Sequence, residues 1–189
     1  MLIAPDGNSG RRVVFDFATN SFHFDTGGNC EEGRGRHCIR GQSRLVTTSA
    51  DTERRLPFLQ VSINDVVALA LIDTGSANTR MNPELVALLE RHTRLRPVML
   101  PEQYRRATSE RAIAIPTMRL GGTEIRQFGA AEERDLPLFR QADGSVIPGL
   151  IIGTEELRQF ESISIDFSNP TQPVYEFVER QGNRQVAVR

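Results

Sequence analysis

The chain of 189 residues contains no lysine and no tryptophan, and only two cysteines. Its 23 basic residues are therefore all arginine, set against 24 acidic ones, for a net charge of -1. So even a balance gives no electrostatic case for binding nucleic acid or an anionic membrane. The arginine-only usage reads as GC-rich coding rather than as a demand for bidentate guanidinium contacts. No apolar run approaches the roughly 18 residues that a membrane helix needs. The start, Met1-Leu2-Ile3-Ala4-Pro5-Asp6, is too short and too polar for a secretory signal. A soluble protein of the cytoplasm or periplasm is expected, with the compartment left open. What is present is a globular composition, 39% hydrophobic with a mean hydropathy of -0.34. That is enough for one core without covalent staples.

The cysteines, Cys30 and Cys38, flank a Gly-rich, charged stretch. They can close a short loop as a disulfide in an oxidising compartment. With His23 and His37 they match no zinc-site spacing, so neither metal nor cofactor is expected.

Along the chain, residues 13–17 and 21–25 read as two short strands around an Ala18-Thr19-Asn20 turn. Residues 26–41 read as loop or linker, and 43–52 as a weak strand or more linker. Residues 56–63 alternate apolar and polar, Asn64-Asp65 makes a turn, and 66–72 are nearly all apolar, which predicts a hairpin whose second strand is buried on both faces. Asn82-Pro83-Glu84-Leu85 is a helix start, with Asn82 as N-cap and Pro83 at the first helical position. Leu85, Leu88 and Leu89 form its apolar face. A hairpin with its tip near Ala107-Thr108-Ser109-Glu110 follows, then another turning at Gly121-Gly122. Residues 132–145 read as polar and irregular. A second apolar run, 146–153, precedes a short helix with Thr154 as N-cap. Strands at 162–167 and 173–178 end the regular structure. The division expected is residues 1–55 as an N-terminal hairpin and Gly-rich linker, either an extension or the remnant of a preceding lobe, 56–178 as the main domain, and 179–189 as a polar tail.

Two observations carry the chemistry. Leu69-Ala70-Leu71-Ile72 runs straight into Asp73-Thr74-Gly75-Ser76. A carboxylate at the end of a buried strand is costly without partners, and here Gly75 lets backbone come close while Thr74 and Ser76 bring hydroxyls. The second is an internal echo. Val14-Phe15-Asp16-Phe17-Ala18-Thr19-Asn20 before Phe22-His23-Phe24 resembles Ser164-Ile165-Asp166-Phe167-Ser168-Asn169-Pro170 before Val174-Tyr175-Glu176-Phe177. Each is a strand, an Asp-aromatic pair, a polar turn and a second strand, either a remnant of a repeated unit or shared hairpin composition.

The apolar lead-in to Asp73-Thr74-Gly75-Ser76, the intervening hairpins and the downstream Leu150-Ile151-Ile152-Gly153 together resemble the retropepsin-like aspartic proteases, single-lobe relatives of pepsin. The likeness spans roughly residues 56–177. It is nearest the bacterial branch, in which a short helix follows the motif. The resemblance implies a mainly β, single-lobe acid-protease barrel with short helices after the motif and near the C-terminal end. It implies an aspartic endopeptidase acting on peptide or protein substrates as a homodimer, or with a paired upstream lobe. Asp73 would be catalytic. Thr74 would bond across the interface, Gly75 and Ser76 would donate to the carboxylate, and Ala107, Thr108, Ser109 and Glu110 would form the flap tip. That tip lacks the usual glycine, and Glu155 stands where the bacterial pattern has Asp. A second Asp25-Thr26-Gly27 follows an alternating Phe22-His23-Phe24, too close in sequence to Asp73 for a full lobe between them; it reads as a strand-to-loop turn. Two alternatives stand beside the enzyme: a catalytically silent peptide-binding or dimerisation module of the same fold, and a β-rich interaction domain with a coincidental motif.

Overall fold

The structure is a computed structural model that describes residues 12–25, 38–48, 51–99, 109–121, 123–141, 143–169 and 171–180. It is mainly β. Strands β1 (Arg12–Asp16) and β2 (Ser21–Asp25) form a hairpin, followed by β3 (Cys38–Thr48), β4 (Asp51–Ile63), β5 (Val66–Ile72) and β6 (Thr79–Met81). Helix α1 (Pro83–His92) leads to β7 (Arg96–Val98), β8 (Ser109–Leu120) and β9 (Thr123–Glu133). A 3-10 turn at Pro137–Phe139, β10 (Gly149–Ile152), α2 (Thr154–Leu157), β11 (Phe160–Asp166) and β12 (Val174–Glu179) complete the order.

The strands lie in the order β2-β1-β11-β12-β3-β4-β5-β10-β6-β9-β8-β7. An added β4–β8 pairing closes six of them, β4, β5, β10, β6, β9 and β8, into a barrel. Closure removes sheet edges that would otherwise present open backbone groups. The β4–β5 hairpin turns at Asn64 and Asp65, both at positive φ (48° and 66°), the pairing that a two-residue turn between twisted strands requires. Asn82 caps α1 as the sequence predicts: its Oδ1 accepts from the Leu85 N–H at 3.0 Å, with Pro83 in the first turn. Leu85, Val86 and Leu89 are buried, with Leu88 at the margin.

Burial of β5 is asymmetric along its length. Ala70, Leu71 and Ile72 are all buried, but Val67 is 57% exposed. Successive side chains point to opposite faces. Ala70 and Ile72 join the main core with Leu150 and Ile152, whereas Leu71 packs in a second cluster with Phe58, Phe139 and Ile151. Burial on both faces therefore holds only for the end that delivers Asp73.

Three expectations need correction. The stretch read as linker through residue 41 and as weak strand beyond it becomes strand from Cys38, because β12 and β4 supply a ladder on either side of β3. Residues 26–37 of that linker lie outside the described residues. Cys38 is disulfide-bonded; Cys30 lies outside the described residues. Glu132 and Glu133, read as the start of an irregular segment, end β9 and are buried. Thr154 is the first residue inside α2, and Gly153 takes the cap with no side-chain bond. Among the described residues no helix is long and apolar enough to cross a membrane.

Candidate active site

Asp73 follows β5 directly, and its N–H donates to the Ile152 carbonyl at 3.1 Å. That bond extends the parallel β5–β10 ladder, in which Ile72 faces Ile152, by one residue beyond the strand. The chain then folds back over its own carboxylate. Gly75 N–H donates to Asp73 Oδ1 at 2.9 Å, and Ser76 Oγ donates to Oδ2 at 3.0 Å. Ser76 N–H closes the turn onto the Asp73 carbonyl at 3.1 Å. Both carboxylate oxygens are thus fixed by donors within three residues, while the side chain stays 16% exposed. Gly75 and Ser76 both donate to Asp73, and Thr74 sits half-buried beside them.

The loop is anchored from a second side. Thr154 N–H donates to Ser76 O at 2.8 Å and Glu155 N–H to Ala77 O at 2.9 Å, so the start of α2 binds the motif's backbone. Gly153 is needed for that approach: a Cβ there would lie 2.5 Å from the Asn78 carbonyl carbon. Gly149 is needed likewise, since a Cβ would lie 2.1 Å from the Phe139 ring. Asn82, besides capping α1, accepts from Gly149 N–H at 3.0 Å and donates to Ile147 O at 2.7 Å. The β10 run and the helix start read separately in the sequence are one hydrogen-bonded unit.

Sequence reasoning missed two side chains. Arg80 is buried and donates through Nη2 to Ser76 Oγ at 2.6 Å; the same nitrogen lies 3.8 Å from Asp73 Oδ2. Its Nη1 donates to the buried Glu133 at 3.1 Å, and its Nε is buried with no hydrogen-bond partner among the described residues. Ser76 therefore relays between a guanidinium and the carboxylate. Glu156 is also buried, and Thr79 Oγ1 donates to its Oε2 at 2.5 Å while accepting from Gly153 N–H at 3.1 Å. Burial, opposed by the Thr79 bond, raises the Glu156 carboxyl to about 7. The signal for both was their nearness to the motif in sequence, at Arg80, and to the second apolar run, at Glu156.

Of the proposed flap tip, Ala107 and Thr108 lie outside the described residues. Ser109 and Glu110 begin β8, where Ser109 registers against Glu133. The strand is pinned just beyond by Arg111, which donates to Glu132 at 2.7 Å and to Glu90 at 2.6 Å. Asp25 ends β2 opposite Arg12, apart from the Asp73 motif in the sheet order.

Two solved structures are similar to the chain in fold. A retropepsin-like aspartic protease from Rickettsia conorii is 13% identical, over 78% of this chain and 98% of that one, with a TM-score of 0.45. The retroviral protease-like domain of Ddi1 from Leishmania major is 23% identical, over 55% and 74%, with a TM-score of 0.35. No family model matches the chain, and no curated protein does.

Proposed function

We propose that the chain is one lobe of an aspartic endopeptidase, with Asp73 as its catalytic carboxylate. The observation that supports this is the presentation of Asp73: a carboxylate at the doubly buried end of a strand, both oxygens oriented by adjacent donors, still reached by solvent. A group held this way is placed for chemistry on a bound water. One aspartate is not sufficient. Two carboxylates about 3 Å apart share a single proton, so one acts as base on the water while the other donates to the scissile carbonyl. The protons belong to the pair, and neither Asp has a fixed role. The second aspartate comes from a second lobe. Peptides or proteins are the substrates, and the segment around residues 107–110 is the cover that excludes water.

The Arg80 contact favours a second reading. A guanidinium 3.8 Å from Asp73 Oδ2 gives that carboxylate a fixed counter-charge, which suits a structural aspartate in a silent module of the same fold. Asp73→Asn separates the two. In the assembled protein the enzyme reading expects peptide hydrolysis to fall by on the order of 10³ or more. Cleavage that survives in Asp73→Asn removes the mechanism.

A further inference from the structure

Arg80 stands between two acids. Its backbone is fixed in the sheet, in register with Ala131 on β9 and with Ile151 on β10, so only its side chain has room to turn. Glu133 lies two residues beyond Ala131 on β9 and therefore on the same face. The guanidinium divides its fork. Nη1 donates to Glu133 Oε2 at 3.1 Å, while Nη2 donates to Ser76 Oγ at 2.6 Å and stops 3.8 Å from Asp73 Oδ2. Nε, at the root of the fork, is buried with no partner among the described residues. A guanidinium within reach of a carboxylate ordinarily closes onto it with two parallel bonds of about 2.8 Å. Toward Asp73 that contact is not made: the Ser76 hydroxyl stands between.

Glu133 depends on this cation more than Asp73 does. It is buried, and Arg80 is its ion-pair partner among the described residues. The next cation along β8, Arg111, is committed elsewhere, with Nε on Glu132 at 2.7 Å and Nη2 on Glu90 at 2.6 Å. Asp73 is reached by solvent and has its own donors in Gly75 and Ser76. The buried acid therefore holds the guanidinium the more firmly, since an uncompensated interior charge is the costlier of the two.

We propose that Glu133 is a positioning residue for Asp73: by holding Arg80 through Nη1, it keeps the guanidinium from closing directly onto the Asp73 carboxylate. The consequence for chemistry rests on the aspartic-peptidase reading. A carboxylate that must share a proton and take one from water loses both roles once it is locked in a direct pair with arginine. Ser76 is then a spacer as well as a donor, and Glu133 is what keeps the spacer in place. The nearby cation, which by itself suits a structural aspartate, becomes compatible with a working one.

The test starts from the full chain and from readouts other than activity. In Glu133→Leu the cation has a second acid to turn to, whereas in Arg80→Met Glu133 is left with no cation among the described residues. Glu133→Leu is therefore expected to keep a denaturant midpoint near the parent's, with Arg80→Met well below both. A crystal structure of Glu133→Leu is expected to show Arg80 Nη2 bonded to Asp73 Oδ2 at about 2.8 Å, with Ser76 Oγ displaced. Equal losses in the two variants, a Glu133→Leu chain that does not fold, or Arg80 still seated on Ser76 overturns the proposal. In the assembled protein, Glu133→Leu is expected to lower kcat for peptide hydrolysis by at least about a hundredfold with KM little changed, and Arg80→Met/Glu133→Leu to regain at least about tenfold of that loss. A merely structural Glu133 gives no such regain, and its absence overturns the proposal as well. Should Arg80 turn in Glu133→Leu while the parent cleaves no peptide, the peptidase reading fails and the hold of Glu133 on Arg80 stands, so the two are read separately.

Discussion

One short stretch, residues 73–80, serves two carboxylates in opposite ways. Asp73 is partly open to solvent, held by a backbone N–H and a Ser76 hydroxyl, with the Arg80 guanidinium behind. Glu156 is closed off, meets the Thr79 hydroxyl, and is pushed up to about 7 by burial. Ser76 and Thr79 lie three residues apart and face different acids. One carboxylate is oriented toward solvent, and the other is absorbed into the packing. Gly75 N–H and Ser76 Oγ orient Asp73, whereas burial favours the neutral form of Glu156, a hydrogen-bonding pin between α2 and β6.

The largest expected effect comes from removing the cation. Arg80→Met takes away the charge that faces Ser76, Asp73 and the buried Glu133 together. Breaking a buried pair from one side costs about 3–5 kcal/mol, because a carboxylate is left in the interior. Denaturant unfolding of Arg80→Met is expected to show that loss, and Arg80→Met/Glu133→Leu to recover most of it. An equal loss in the double variant would mean that Arg80 acts through Asp73 rather than Glu133, which would make the Asp73 side the more dependent of the two.

Next comes the pH dependence of Glu156. Its ordinary value is 4.5 and its folded value about 7. Between the two, the folded state keeps a proton that the unfolded state has lost, so stability falls as pH rises through that window. Below about pH 4.5 the penalty is absent; above about pH 7 it amounts to about 3 kcal/mol. Glu156→Gln cannot ionise and keeps an oxygen for Thr79. The variant is expected to exceed the parent by about 3 kcal/mol at pH 8 and to match it near pH 4, as read from denaturant midpoints at the two pH values. A constant difference across pH would remove the contrast between the two acids.

What the sequence made legible is local. The Asn82-Pro83 helix start, the Asn64-Asp65 turn and the run into Asp73 each state their geometry within a few residues, through cap, φ and alternation. What stayed hidden depends on distant partners. Glu132 and Glu133 looked like the start of a loop because the arginines that permit their burial, Arg111 and Arg80, lie on other strands. Thr154 looked like a cap because it precedes two acids. The residue before it had to be glycine to clear Asn78, and the Thr154 N–H went to Ser76 instead. Arg80 was passed over because a lone arginine in a sequence says nothing about which hydroxyl it meets.

The smallest expected effect is the most discriminating. Ser76→Ala deletes the hydroxyl that donates to Asp73 and accepts from Arg80, without touching either charge. Its cost in stability is expected to be about 2 kcal/mol, the scale for losing hydrogen bonds to charged groups. If Asp73 is catalytic, its orientation depends on that bond. Peptide hydrolysis by the assembled protein should then fall by at least tenfold, chiefly in kcat, while the fold is kept. If Asp73 only pins the loop, Ser76→Ala and Asp73→Asn should lower stability together and nothing else. Measuring both variants by denaturant unfolding, and for hydrolysis beside the second lobe, sets a catalytic carboxylate against a structural one on the same hydroxyl.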